Sequence, residues 1–162
     1  MRSDDDLARA VLASCRTRGV MVATAESCTG GLIAAALTEI PGSSDVVDRG
    51  YVVYSNRAKI EMLGVPADLL AIHGAVSAPV AAALAEGARA RAGVGLAIAV
   101  TGIAGPGGAT AQKPVGLVHL ACASTWAPLS AEQAVFPGDR SAIRAATVRQ
   151  ALTMLLRQLE RA

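Results

Sequence analysis

Apolar positions along the chain follow two periods, and their alternation predicts the fold. Leu7, Val11 and Ser14-Cys15 recur at the spacing of a helix face. Ser3 stands before them as an N-cap, Asp4, Asp5 and Asp6 suit the positive end of the helix dipole, and Gly19 closes the segment. Residues 20–25 are an apolar run rich in β-formers and predict a strand; residues 32–37 predict a helix that ends at Pro41-Gly42. After turn chemistry at residues 42–45, Val46-Val47 and residues 50–54 predict a second strand, with Ser55-Asn56 at its end. Residues 56–63 predict a short helix stopped by Gly64, and Pro66 opens another that stops near His73-Gly74. Ser77 reads as the cap of a longer helix, with Pro79 in its tolerated first turn and Gly93 past its end.

Residues 96–100 are continuously apolar, the pattern of a strand buried on both faces. They lead into a second glycine-rich loop, residues 101–108. Residues 115–123 and 131–136 predict two further strands, joined closely enough for an antiparallel hairpin. The last helix starts near Gly138-Asp139-Arg140, with Ile143, Thr147, Ala151, Leu155 and Leu159 on one stripe and Arg144, Arg149, Arg157 and Arg161 on the other face. Helices alternating with strands predict one α/β domain over residues 1–162: a three-layer α/β/α sandwich with a mainly parallel, mixed central sheet. In such sheets functional loops lie beyond the carboxyl ends of the strands. Polar loops hold that position after Ala25, Tyr54 and Val100 and are expected to meet at one pocket.

Composition narrows the choices. The chain is 52% hydrophobic but only 2% aromatic, so its core must rely on close contact of small aliphatic side chains. Charged residues make up 17%, below the ~25% usual for globular domains. Some apolar surface is therefore expected to be covered by another copy of the chain, as a dimer or higher homo-oligomer. A net charge of +2, with no basic block and no aromatic ladder, argues against nucleic acid as a partner. No apolar run reaches the roughly 18 residues that span a bilayer, so no membrane partner is expected. The opening Met1-Arg2-Ser3-Asp4-Asp5-Asp6 is unlike a signal peptide, and three scattered cysteines make no disulfide framework; a cytoplasmic location is expected. No His, Cys, Asp and Glu cluster has metal-ligand spacing, and neither a metal nor another cofactor is expected.

The richest stretch for chemistry is Ala25-Glu26-Ser27-Cys28-Thr29-Gly30-Gly31, at a strand–turn–helix junction. A hydroxyl and a thiol sit side by side where helix-start N–H groups lack partners and favour negative charge. A nucleophile could be activated there and an oxyanion held; a phosphate turn or a plain corner has the same shape. Ser27 needs a base. His119 lies inside a predicted strand and reads as a core or sheet-face residue, and His73 sits at a helix end where capping accounts for it. Ser27 is not in a G-x-S-x-G elbow, so a Ser-His-Asp triad has little support. Lys59 follows the second polar loop by about one helical turn. It would serve as a base only if drawn inward and kept neutral by burial and a nearby cation such as Arg57 or Arg140; otherwise it is a solvated helix lysine. Tyr54 could hydrogen-bond between hydroxyl and amine or donate to a leaving group. Cys28 is a rival nucleophile if ionised. Thr101 and the glycines after it offer N–H groups to a phosphate or carboxylate, and Asp139-Arg140 with Arg144 could clamp a phosphate; a long turn and a capped, solvated helix are the plainer accounts.

Taken together, these stretches resemble a known family. Residues 25–31, Gly50-Tyr51-Val52-Val53-Tyr54-Ser55-Asn56 with Lys59, His73-Gly74-Ala75-Val76-Ser77, Thr101-Gly102-Ile103-Ala104-Gly105-Pro106, Lys113-Pro114-Val115-Gly116 and Gly138-Asp139-Arg140 occur in one order. The set closely resembles the CinA C-terminal domain family, which includes nicotinamide-nucleotide amidases. The likeness covers nearly the whole chain and implies the stand-alone form, without the molybdopterin-binding-like module that precedes this domain in longer members. It implies hydrolysis of the carboxamide of nicotinamide mononucleotide to nicotinate mononucleotide and ammonia, in pyridine-nucleotide salvage. Ser27 matches the family's serine nucleophile, Lys59 its lysine base and Tyr54 an assisting tyrosine. Thr29, Gly30, Gly31, Asn56, Thr101, Gly102 and Arg140 are then the expected substrate-binding positions, with oxyanion donors near residues 29–31. The other reading is a nucleotide-binding regulatory module of the competence/damage-inducible type, without catalysis.

Overall fold

A computed structural model describes residues 2–162. Helix α1 (Asp4–Arg18) starts with reciprocal caps: the Ser3 hydroxyl accepts from the Asp6 N–H, and the Asp6 carboxylate accepts from the Ser3 N–H, both at 3.1 Å. Then follow β1 (Val22–Glu26), α2 (Leu32–Thr38), a 3-10 turn (Ser43–Asp45), β2 (Val47–Val52), α3 (Asn56–Leu63), α4 (Ala67–His73) and α5 (Ala78–Ala92). The chain closes with β3 (Leu96–Gly102), β4 (Leu117–Ser124), β5 (Ser130–Val135) and α6 (Arg140–Glu160).

The five strands form one sheet in the order β2-β1-β3-β4-β5. The pairings β1–β2 and β1–β3 are parallel, and β4 runs antiparallel to both β3 and β5. Four strands therefore point one way and β4 alone is reversed, the mainly parallel, mixed sheet expected of the sequence. Alternation along the central strands builds the two cores. Ile98 and Val100 join Leu12, Ile33, Leu120 and Leu155 beneath α1, α2 and α6. Ala97 and Ala99 face the other way, with Ala23, Ala25 and Ala121, against Val80, Leu84 and Ala88 of α5. The alanines keep that face of the sheet shallow, so α5 lies close and a core nearly free of aromatics still fills.

Two local expectations are corrected. β3 does not end with its apolar run: Thr101 and Gly102 continue the ladder opposite His119 and Val118, and the loop starts at Ile103. Pairing with β4 outlasts the hydrophobic pattern. At Gly102 a Cβ would stand 2.7 Å from Val118 Cγ2 and 3.2 Å from Cys28 Sγ, so the strand needs glycine for this close approach. Ser77 precedes α5 but does not cap it through its side chain; its hydroxyl donates to Gly74 O at 2.8 Å. Among the described residues no helix is long and apolar enough to cross a membrane.

Candidate active site

The segments after β1 and β2 meet at the carboxyl end of the sheet. The Ser27 N–H still pairs with Val100 O at 3.2 Å, which fixes the residue just past β1. The chain then turns through Gly30 and Gly31, whose φ angles of 58° and 107° lie in the left-handed region that suits glycine. On the neighbouring strand the chain leaves β2 through Val53 and Tyr54. Ser55 caps α3, its hydroxyl accepting from the Ala58 N–H at 3.0 Å. That start directs Lys59, one turn later, back under the sheet end.

Lys59 is 1% exposed. Its Nζ lies 3.0 Å from Ser27 Oγ, 2.9 Å from Val53 O and 3.0 Å from Tyr54 O. Among the described residues no carboxylate pairs with it. Burial lowers its pKa from the ordinary lysine value. The cation expected from Arg57 or Arg140 is not the cause. Arg57 is exposed and paired with Glu61 at 2.7 Å, and Arg140 is engaged elsewhere. A neutral amine has two N–H donors and one lone pair. In its neutral form the amine would give both donors to the two carbonyls and leave its lone pair for the Ser27 hydroxyl.

Glu26 braces the candidate site and was missed by pattern reading. It is 1% exposed, and its carboxylate accepts from Thr29 Oγ1 at 2.6 Å, the Ile33 N–H at 2.8 Å and the Ala34 N–H at 3.0 Å. It thus occupies the start of α2, where a phosphate turn would hold its ligand. The Gly30 N–H donates to Ser27 O at 3.1 Å. Of the donors expected near residues 29–31, the Thr29 and Gly31 amides remain without an acceptor among the described residues. The legible signal for Glu26 was an acid at the last position of an apolar strand, directly before a helix start. Arg144 was also misassigned to a solvated or phosphate-clamping face. Its Nε donates to Cys28 O at 3.0 Å and its Nη2 to Thr29 O at 3.1 Å, bracing the turn from α6.

Tyr54 differs from expectation in which of its atoms is used. Its backbone carbonyl meets the amine, while its ring is 59% exposed and its hydroxyl accepts from Arg140 Nη2 at 3.0 Å. The phenol therefore does not bridge Ser27 and Lys59. Arg140 Nη1 also donates to Gly105 O at 2.8 Å, tying the loop after β3 to the segment after β2. With Ala104, Pro106, Val115, Gly138 and Asp139, Arg140 lines a cleft of about 520 Å3. Asp139 itself caps α6 through the Ala142 N–H at 2.9 Å. Asn56 is exposed at the first turn of α3. Thr101 is buried in the β3–β4 ladder, opposite His119, and its hydroxyl is already donated to Ala75 O at 3.0 Å. Cys28, 5% exposed, has its thiol pushed up to about 11 by burial and is un-ionised at neutral pH. His73 and His119 stand apart from the Ser27–Lys59 contact: the former ends α4, and its carbonyl accepts from Lys113 Nζ at 2.6 Å.

The family model described as CinA C-terminal domain matches residues 4–159. Curated relatives include a CinA-like protein of Anaeromyxobacter sp. (strain K), 51% identical over 93% of this chain, and one of Gemmatimonas aurantiaca, 49% identical over 98%. The chain spans 37% of the length of each. Among solved structures, the competence/damage inducible protein CihA from Agrobacterium tumefaciens superposes with a TM-score of 0.94 at 51% identity, over 99% of this chain and 98% of that one. The competence damage-inducible protein A from Klebsiella pneumoniae gives a TM-score of 0.94 at 36% identity, over 98% of each chain. In sequence over nearly its whole length, and in fold, the chain belongs to the CinA C-terminal domain family.

Proposed function

We propose that the chain is an amidohydrolase that cleaves the carboxamide of nicotinamide mononucleotide, with Ser27 as nucleophile and Lys59 as base. The observation that carries this reading is the 3.0 Å contact between a buried, carboxylate-free amine and the Ser27 hydroxyl. A scaffold that only bound nucleotides would gain nothing from burying an amine here; a methionine would fill the space without desolvating a cation. In the proposed reaction Lys59 Nζ takes the Ser27 proton as Oγ bonds to the amide carbon. The oxyanion faces the unoccupied Thr29 and Gly31 amides. On collapse the C–N bond breaks, Lys59 returns its proton to the departing nitrogen and ammonia leaves. Water, deprotonated by Lys59, then attacks the acyl-serine, and the proton passes to Ser27 Oγ as nicotinate mononucleotide is released. The cleft beside Arg140 falls within the roughly 300–1,000 Å3 of small-molecule sites, and that guanidinium supplies positive charge for the phosphate.

The test is ammonia release from nicotinamide mononucleotide. Ser27→Ala is expected to lower turnover by about 10^2- to 10^4-fold or more while the circular dichroism spectrum is retained. Cys28→Ala is expected to keep most of the activity. Binding of the nucleotide by the unmodified chain with no ammonia produced would overturn the reading in favour of a regulatory module. Full activity of Ser27→Ala would overturn the assigned nucleophile.

A further inference from the structure

Arg144 reaches from α6 onto the turn that follows Ser27, and its two contacts there differ in consequence. The Thr29 carbonyl, 3.1 Å from Arg144 Nη2, also accepts from the Leu32 N–H at 3.1 Å, so it is held without the arginine. The Cys28 carbonyl, 3.0 Å from Arg144 Nε, has no other donor among the described residues. The guanidinium lies directly against the turn: a Cβ at Gly30 would stand 3.5 Å from Arg144 Nη2. No ion pair of the described residues includes Arg144, so its charge is left to these carbonyls.

The Cys28 carbonyl shares its peptide unit with the Thr29 N–H. That unit is trans, and in a trans peptide C=O and N–H point in opposite directions. With Arg144 on the carbonyl, the Thr29 N–H is turned away from the arginine, and it has no acceptor among the described residues. Gly30 and Gly31, both at positive φ, give the turn little stiffness of its own, so an outside anchor decides how this plane sits. A charged donor on the carbonyl also polarises the unit and strengthens its N–H as a donor.

We infer that Arg144 is a positioning residue for the reaction. Without touching substrate, it fixes the Cys28–Thr29 peptide so that the Thr29 N–H meets the negative oxygen formed when Ser27 attacks a carboxamide. The inference rests on the amidase reading and deepens it. The Gly31 N–H belongs to the next peptide but one, which Arg144 does not touch, so part of the oxyanion stabilisation survives loss of the arginine. Lysine is a poor substitute, because a single ammonium lacks the fork that spans two neighbouring carbonyls.

The test is ammonia release by the parent, Arg144→Met and Arg144→Lys from nicotinamide mononucleotide and from its thionicotinamide analogue, whose sulfur accepts hydrogen bonds poorly. Arg144→Met is expected to lower kcat on the oxygen substrate by about 10- to 100-fold, less than the ~10^2–10^3 of deleting an oxyanion donor outright. KM is expected to stay within about twofold, the mark of an interaction made only in the transition state. Turnover of the sulfur analogue should fall much less, so the preference for oxygen shrinks, and Arg144→Lys should lie between Met and parent. Equal losses on the two substrates would reduce Arg144 to a support of the fold and overturn the inference. A raised KM with kcat kept, or parental kcat in both variants, overturns it as well. If circular dichroism shows Arg144→Met unfolded, the same comparison in Arg144→Lys decides. If the parent leaves the sulfur analogue intact, the split between kcat and KM decides. A parent that releases no ammonia sinks the amidase reading and this inference with it, whereas an active parent with unaffected variants sinks this inference alone.

Discussion

At the scale of single residues, the proposed chemistry rests on Lys59. Burial depresses its pKa, so between the folded value and its ordinary 10.5 the unfolded chain binds more protons than the native one. Stability contributed by this group therefore rises with pH through that window and is lowest below the folded pKa, where an ammonium must be buried. In the proposed mechanism turnover should rise with pH across the folded pKa as the neutral amine forms. Lys59→Met should abolish both dependences. It is expected to lower ammonia release by about 10^2- to 10^4-fold, while thermal melts at neutral pH show equal or higher stability than the parent. A clear loss of stability in Lys59→Met would mean that the amine holds the fold together rather than serving chemistry. The sequence marked Lys59, Ser27 and Tyr54 through family likeness. It could not show that the tyrosine contributes its carbonyl, because side-chain chemistry is written in residue identity and backbone direction is not.

At the scale of elements, the turn between β1 and α2 is held from two sides. Glu26 ties the start of α2 from within, and Arg144 of α6 holds the carbonyls of Cys28 and Thr29. Glu26→Ala leaves the buried Ile33 amide and the part-buried Ala34 amide without acceptors, at a cost of about 1–3 kcal/mol. Denaturant unfolding should register that loss, and turnover should fall further than stability alone explains, because Ser27 is the next residue. Glu26→Gln keeps one acceptor and should recover part of both. The helices and strands themselves were legible from spacing, caps and glycines. Arg144 was not: on a helical stripe it looks like any solvated arginine, and the carbonyls it holds lie 115 and 116 residues away in sequence.

For the molecule as a whole, the sandwich and its closing hairpin were readable because the interior strands are mainly apolar and alternate with helical patterns. The true end of β3 was not, since Thr101 and Gly102 break the hydrophobic pattern while the ladder to β4 continues past them. The sheet order places Ser27 and Lys59 unequally. Ser27 leaves an interior strand with neighbours on both sides, whereas Lys59 and the carbonyls beside it follow β2, one of the two edge strands, in which no residue is fully buried. Edges open before centres. Warming should thus silence catalysis several degrees below the melt seen by circular dichroism, and cooling should restore it at once. A cross-link pinning β2 to β1 would bring the two temperatures together, making the rim of the sheet the thermostat of the proposed activity.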